Sequence, residues 1–512
     1  MPAPAPASRL RVVRDRPVRG DGEYVLYWMT AARRARYSFA LQHAVWHAHE
    51  AGRPLLVLEA LRAGHQHNTA RVHRFVLDGM ADNRSRFSAA GVTHFTYVEP
   101  SPGAGRGLLA ALSTRACVVV TDTFPAYFLP RMLEAAAGQV GSRLEAVDGN
   151  GLVPLASTTR VFTTAASFRR VLHRASDELF DAFPTPRPLR GYLGGRAVVP
   201  ADVLARWPAT PEAALTDPAF LRALPLDHEV PAVAGLTGGS RAAEARIERF
   251  LGTRLARYPE DARHPDRDGE SGLSPYLHFG HVSSHEVVGR ILEAEQWHPG
   301  KVQPERIGSR EGFYGLSPGA DAFLDQLVTW RELGFVFSHH RGGDLQRYEA
   351  LPGWALDTLA THADDPRPWV HAPRTFEQAG THEPLWNACQ RQLRRDGVVH
   401  GYLRMLWAKM VLGWSAAPAE AFQTLQHLND RWAIDGRDPN GYSGVAWCFG
   451  RFDRAWGPER PVFGKVRYMT CDASRRKLRR PVCTATESVP SRPNESRSGR
   501  PSPSMSTVAM RE

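Results

Sequence analysis

Two runs decide how the second half of the chain is read: Gly401-Tyr-Leu-Arg404-Met-Leu-Trp407-Ala-Lys-Met-Val-Leu-Gly-Trp414 and Leu428-Asn429-Asp-Arg-Trp-Ala-Ile-Asp435-Gly-Arg-Asp-Pro-Asn-Gly-Tyr442. The first is apolar at helical spacing and too long for a strand. Trp407 and Trp414 are seven residues apart, two turns, and share a face with an axial offset of roughly 10 Å. Val411 fits the same stripe, so plain core packing would account for the indoles. It does not account for Arg404 on that face, because a buried arginine needs an anionic partner. Asp435 is the candidate. GRDPNG at 436–441 is a tight turn. Six of the 13 tryptophans fall between Trp386 and Trp456, more than a helical core calls for when every buried indole N–H wants an acceptor.

Working outward, the pattern is helical from about residue 211 to 472, as in RAAEARIERFLGTRLARY, where Ile247, Phe250, Leu251, Leu255 and Tyr258 form one stripe. Residues 23–150 alternate strand-like runs (YVLYW, RPLLVLEA, VTHFTYVEP, ACVVVTD) with helical ones. That alternation predicts a parallel sheet covered on both faces, with ligands beyond the carboxyl ends of its strands. Residues 151–210, rich in Pro and Gly, read as an inter-domain linker. The fold expected is therefore an α/β N-terminal domain, a long linker and an all-helical C-terminal domain. Residues 1–22 and the basic tail 473–512 have the composition of disordered segments.

At 512 residues with 43% apolar content the chain has room for two sizeable cores. A net charge of +11 favours a polyanionic partner, nucleic acid first. The five cysteines are scattered, with no CxxC pair, which argues against a zinc site or a disulfide scaffold. No apolar h-region and no run of about 20 apolar residues is present, so a cytoplasmic protein without a membrane partner is expected.

Two further motifs carry chemistry. In Ser271-Gly272-Leu273-Ser274-Pro275-Tyr-Leu-His-Phe-Gly280, Ser274 is positioned to cap a helix that Pro275 opens, and free N–H groups beside two hydroxyls make a phosphate cradle. An ordinary capped helix would give the same pattern. In Phe323-Leu-Asp325-Gln326-Leu-Val-Thr-Trp330-Arg331-Glu332-Leu, Gln326 and Trp330 are one turn apart, an amide and an indole able to hold a planar heterocycle. The glycines of GAGRG at 103–107 form a turn without the Lys-Ser/Thr of a phosphate loop.

Together SGLSPYLHFG, WREL, LWNACQ, GYLRMLWAK, LNDRWAIDGRDPNGY and ERPVFGKVRYM resemble the class II cyclobutane pyrimidine dimer photolyases of the cryptochrome/photolyase family. The likeness is densest over 249–469. It implies an antenna-type α/β domain joined to a helical domain that binds FAD, reduced in its catalytic state. Tyr258 and Ser271, Gly272, Leu273 and Ser274 would hold the FAD phosphates, and Arg331 would also contact the cofactor. Arg404 and Asp435 would form an ion pair beside the flavin ring, with Asn429 facing its N5. Trp407, Trp386 and Trp414 would relay electrons, Trp407 nearest the flavin. Trp330 and Trp447 would wall the lesion pocket, with Gln326, Arg454 and Arg467 also contacting substrate DNA.

The implied activity is light-driven repair of pyrimidine dimers in double-stranded DNA, by a monomer gathered on the nucleoid. The alternative is a cryptochrome-like photoreceptor without repair. The resemblance leaves the antenna open, whether 8-hydroxy-5-deazaflavin, another chromophore or none, and assigns it no ligands. Two departures stand out. Gln326 occupies the place of a family glutamate, which is expected to lower repair efficiency, and Phe452 replaces a histidine near Trp447.

Overall fold

The computed structural model describes residues 2–478. Six strands, β1 (Leu10–Arg14), β2 (Tyr24–Met29), β3 (Leu55–Leu61), β4 (Thr93–Val98), β5 (Ala116–Thr123) and β6 (Arg143–Asp148), form one sheet in the order β1-β6-β5-β2-β3-β4. All neighbours are parallel except β1 with β6. In β2 the consecutive apolar run YVLYWM is buried at every position. Its alternate side chains enter opposite layers, Val25, Tyr27 and Met29 into one and Tyr24, Leu26 and Trp28 into the other. That is the signature of a strand covered on both faces. Helix α1 (Phe39–Glu50) lies in the first layer, and α3 (Leu108–Ser113) and α4 (Leu129–Gln139) in the second. Helix α2 (Ala70–Ala89) covers the β3–β4 side.

Residues 1–22, expected to be disordered, are instead partly built into this domain. The backbone N–H of Ala5 donates to His43 Nδ1 at 3.2 Å, and His43 and His47 share Glu145 Oε2 on β6 at 2.9 and 2.8 Å. Strand β1 then pairs with β6. The boundary at 151 also shifts. Helices Ala165–Arg174 and Ser176–Asp181 bury Phe168, Leu172 and Leu179 in the helical domain's core, so 151–182 belongs to that domain. The extended connection is confined to about 183–200. Of the tail, the helix Cys471–Lys477 is described; the rest lies outside the described residues.

The short helices Ala201–Arg206, Glu212–Thr216 and Pro218–Ala223 pack onto the α/β domain, so the helical domain resumes only after them, around one large core, and among the described residues no helix is long and apolar enough to cross a membrane. The chain is fixed where it passes from β6 into the helical domain, and α2 is tied to that domain by Arg71. Glu332, 1% exposed, accepts the N–H groups of Leu152 and Val153 at 2.8 and 2.9 Å. Gly151 permits this approach, since a Cβ there would stand 2.4 Å from the Glu332 carboxyl carbon. Arg71 of α2 donates to the carbonyls of Arg394 and Trp432, at the ends of the helices Pro384–Asp396 and Pro418–Trp432, where helical carbonyls lack internal partners.

Candidate flavin and lesion site

The helix Gly401–Trp414 and the turn after Pro418–Trp432 bring Arg404 and Asp435 together. Arg404 Nη2 donates to Asp435 Oδ1 at 2.8 Å, and Ser274 Oγ donates to Asp435 Oδ2 at 2.6 Å. Ser274 is thus the first residue of the helix Ser274–His278 and not its cap; its hydroxyl serves Asp435 instead of a backbone N–H. Burial alone would raise the Asp435 carboxyl, but the Arg404 charge and these hydrogen bonds outweigh it and hold the pKa down at about 2. Gly272 takes a φ of +67°, a left-handed turn that brings Ser271 Oγ to the Leu273 N–H at 3.3 Å.

Asn429 is 3% exposed, and its Nδ2 has no acceptor among the described residues; neither has Arg404 Nε. Buried donors are rarely left this way. Beside them, a Cβ on Gly441 would lie 3.1 Å from Asn429 Nδ2. A flat heterocycle with ring nitrogens and carbonyl oxygens supplies the acceptors this arrangement lacks, so the residues fit a flavin.

The tryptophans are ordered by stacking. Trp407 and Trp386 face each other at 6.4 Å with planes 7° apart, and Trp386 meets Trp414 edge-on at 6.4 Å. Spacing along one helix had put Trp407 and Trp414 on one face; the structure inserts Trp386 into the sequence of contacts. Both inner indoles are anchored, Trp386 Nε1 to the Trp407 carbonyl and Trp407 Nε1 to Gln390 Oε1, each at 2.9 Å. Gln390 was not singled out from the sequence, although it lies one turn after Trp386 in LWNACQ.

A second group surrounds Trp447. Arg467 lies 5.1 Å from the Trp447 ring and 4.1 Å from Trp456, whose other neighbour is Arg454 at 4.2 Å. Asp453 fixes Arg467 at 2.9 Å. Lys409, fully buried, donates to the Cys448 carbonyl; its Nζ lies 5.7 Å from the Trp447 ring centre, and burial lowers its pKa to about 8. Gln326 is exposed and Trp330 half-buried. They sit on a π-helical turn, Asp325–Trp330, whose wider winding keeps i and i+4 neighbours; such turns are frequent at functional sites. Phe452, expected on the substrate side, is 6% exposed and packs edge-on against Phe337 at 5.5 Å.

Tyr258 rests in an aromatic nest with Phe250 and Phe323. Arg331 donates to the Asn150 carbonyl at 2.8 Å and faces a narrow cleft between the domains. That cleft lies where the strand order reverses between β2 and β5, lined by Ala31, Arg34, Asp122, Asn150 and His278, the place where open parallel sheets take ligands.

The architecture is shared with solved structures of low sequence identity. A class III photolyase from Agrobacterium tumefaciens superposes with a TM-score of 0.60 at 18% identity, covering 84% of this chain and 80% of its own. A Synechocystis cryptochrome gives 0.64 at 14%, covering 89% and 86%. The fold is thus that of photolyases and cryptochromes. No family model matches the chain. In sequence it is 33% identical over 475 residues to the deoxyribodipyrimidine photo-lyase of Methanothermobacter thermautotrophicus, covering 92% of this chain and 96% of that protein. It is 34% identical over 502 residues to that of Oryza sativa subsp. japonica, covering 93% and 91%. The chain belongs to the deoxyribodipyrimidine photo-lyase family.

Proposed function

We propose that this protein is a class II photolyase that splits cyclobutane pyrimidine dimers in double-stranded DNA under light, with reduced FAD held at Arg404, Asp435, Ser274 and Asn429. The observation that carries the reading is the half-buried Ser274–Asp435–Arg404 chain beside two unpartnered donors, Asn429 Nδ2 and Arg404 Nε, with Arg404 on the same helix as Trp407. FAD held there would supply light-driven electron transfer to the cyclobutane ring with no net oxidation.

The chain's own residues do the rest. Its +11 charge draws in the DNA backbone. A dimer-bearing step unstacks at less cost than intact DNA, which favours flipping of the lesion. Trp330 and Trp447 offer flat faces to the two pyrimidine rings, and Gln326 offers an amide to their polar edges. Arg454 and Arg467, braced against Trp456, hold phosphate charge beside the opened duplex. Ser271, Gly272, Leu273 and Tyr258 border the diphosphate. Asp435, ionised at any physiological pH, keeps the Arg404 guanidinium in place, and that cation favours negative charge on a ring beside it. Trp407, Trp386 and Trp414 relay electrons inward from the surface when the cofactor has been oxidised. The inter-domain cleft at Arg34, Asp122, Asn150 and Arg331 would take a second, light-gathering chromophore such as 8-hydroxy-5-deazaflavin. The working unit would be a monomer bound to the nucleoid.

The test is to illuminate reduced protein with a thymine-dimer oligonucleotide in blue light and follow recovery of thymine absorbance. Light-dependent recovery is expected. Recovery that is absent, or independent of light, would overturn the proposal; absence in a protein that still photoreduces its flavin would favour a photoreceptor, the reading that the neutral Gln326 supports.

A further inference from the structure

The aromatic path does not stop at Trp414. The Trp414 ring meets the His382 imidazole edge-on at 4.7 Å, and His382 stacks on Trp369 at 4.5 Å with planes 15° apart. His371 braces the junction: its backbone N–H donates to the Trp414 carbonyl at 2.8 Å, and its Nε2 pairs with His382 Nδ1 at 3.0 Å. Exposure rises outward along this series. Trp386 is fully buried, Trp414 half-buried, and Trp369 is 52% exposed. A single exposed apolar side chain needs no explanation. An exposed indole joined ring to ring with the end of a buried tryptophan series is a different matter.

An oxidised tryptophan is a cation, and a cation is stabilised by water far better than by a protein interior. The burial gradient therefore favours movement of the charge outward, from half-buried Trp414 to Trp369. We infer that Trp369 is the terminal electron donor of the relay, reached from Trp414 across His382, and the point where an external thiol reductant acts. One electron passes from Trp369 to oxidised Trp414, which returns to its neutral form. The exposed indole then releases its N–H proton to water. A thiol restores it with one electron and one proton and leaves as a thiyl radical. The inference rests on the flavin-site reading, because a light-driven acceptor must first oxidise Trp407.

Illumination of the FAD-loaded full chain with a nitroso spin trap, without thiol, tests it, with adducts located by peptide mass spectrometry. The wild-type adduct is expected on the peptide carrying Trp369. In Trp369→Phe it should be lost there and appear on Trp414, and in Trp407→Phe labelling should be lost throughout. His382→Ala leaves Trp369 exposed but should diminish its labelling. Flavin photoreduction with adducts on Trp414 and none on Trp369 would overturn the terminal donor while leaving the flavin site standing. Labelling of Trp369 that persists in Trp407→Phe would overturn it as well, since the oxidation would then come from solution. Undiminished labelling in His382→Ala would overturn the route across the imidazole. A wild-type protein that binds no flavin would refute both readings.

Discussion

Asp435→Asn changes the centre of the site at nearly constant volume. The carboxylate accepts from Ser274 at 2.6 Å and Arg404 at 2.8 Å, and its side chain is 12% exposed. Its pKa lies at about 2 against an ordinary 3.8. A depression of that size is worth about 2 kcal/mol of folding stability. Because the folded-state value is the lower one, the contribution is complete above the unfolded pKa and disappears as pH falls through the folded one. The amide also leaves Arg404 without its counter-charge. Breaking a fully buried pair costs about 3–5 kcal/mol, but the Arg404 side chain is 29% exposed, so water offsets part of that and the linkage figure is the better guide. In urea, Asp435→Asn should therefore be about 2 kcal/mol less stable than the wild type at neutral pH, with the gap closing between about pH 4 and about pH 2. Flavin retained per chain, read from the absorbance of released cofactor, should fall in parallel. A gap that stays constant with pH would show that the Asp435 charge does not carry the interaction. Undiminished flavin would show that the pair does not border the ring.

Three other outcomes are expected. Trp386→Phe should abolish photoreduction of oxidised flavin, yet leave repair by chemically pre-reduced protein near the wild-type yield; equal loss of both would remove Trp386 from a relay role. Gln326→Glu restores a carboxylate on the exposed π-helical turn, and the repair quantum yield at pH 7 should rise, with the gain vanishing below about pH 4 where the carboxyl is protonated; a yield that falls would place Gln326 away from the dimer. Glu332→Ala orphans two buried N–H groups, at roughly 1–3 kcal/mol each. Burial raises the Glu332 carboxyl to about 7 from 4.5, so the wild-type junction is most stable below the ordinary value and weakens as pH rises through about 7. The loss on mutation, measured by urea unfolding, should thus be larger at about pH 5 than at about pH 8, and an equal loss at both would contradict the buried acid.

The sequence by itself determined the two-part architecture. YVLYWM can be apolar at six successive positions only if both faces of its strand are covered, and the helical period of 401–414 extends too far for a strand. It also marked Arg404 and Asp435, because an arginine on an apolar face demands an acid. What it could not determine rests on contacts between distant segments. Strand β1 is short, and only its pairing with β6, more than a hundred residues on, together with the hold of His43 on Ala5, makes it a strand. The helices Ala165–Arg174 and Ser176–Asp181 look like linker until Phe168 and Leu172 have a core to enter. Ser274 reads locally as a cap, and Asp435, 161 residues away, takes its hydroxyl for another task. Trp386 lies between Trp407 and Trp414 in space though not in the chain, and Trp369 joins them through an imidazole from a different loop. Periodicity and turn chemistry are local and survive in one dimension. Ring stacking, ion pairing and burial are decided by which segments meet, and that information belongs to the folded chain.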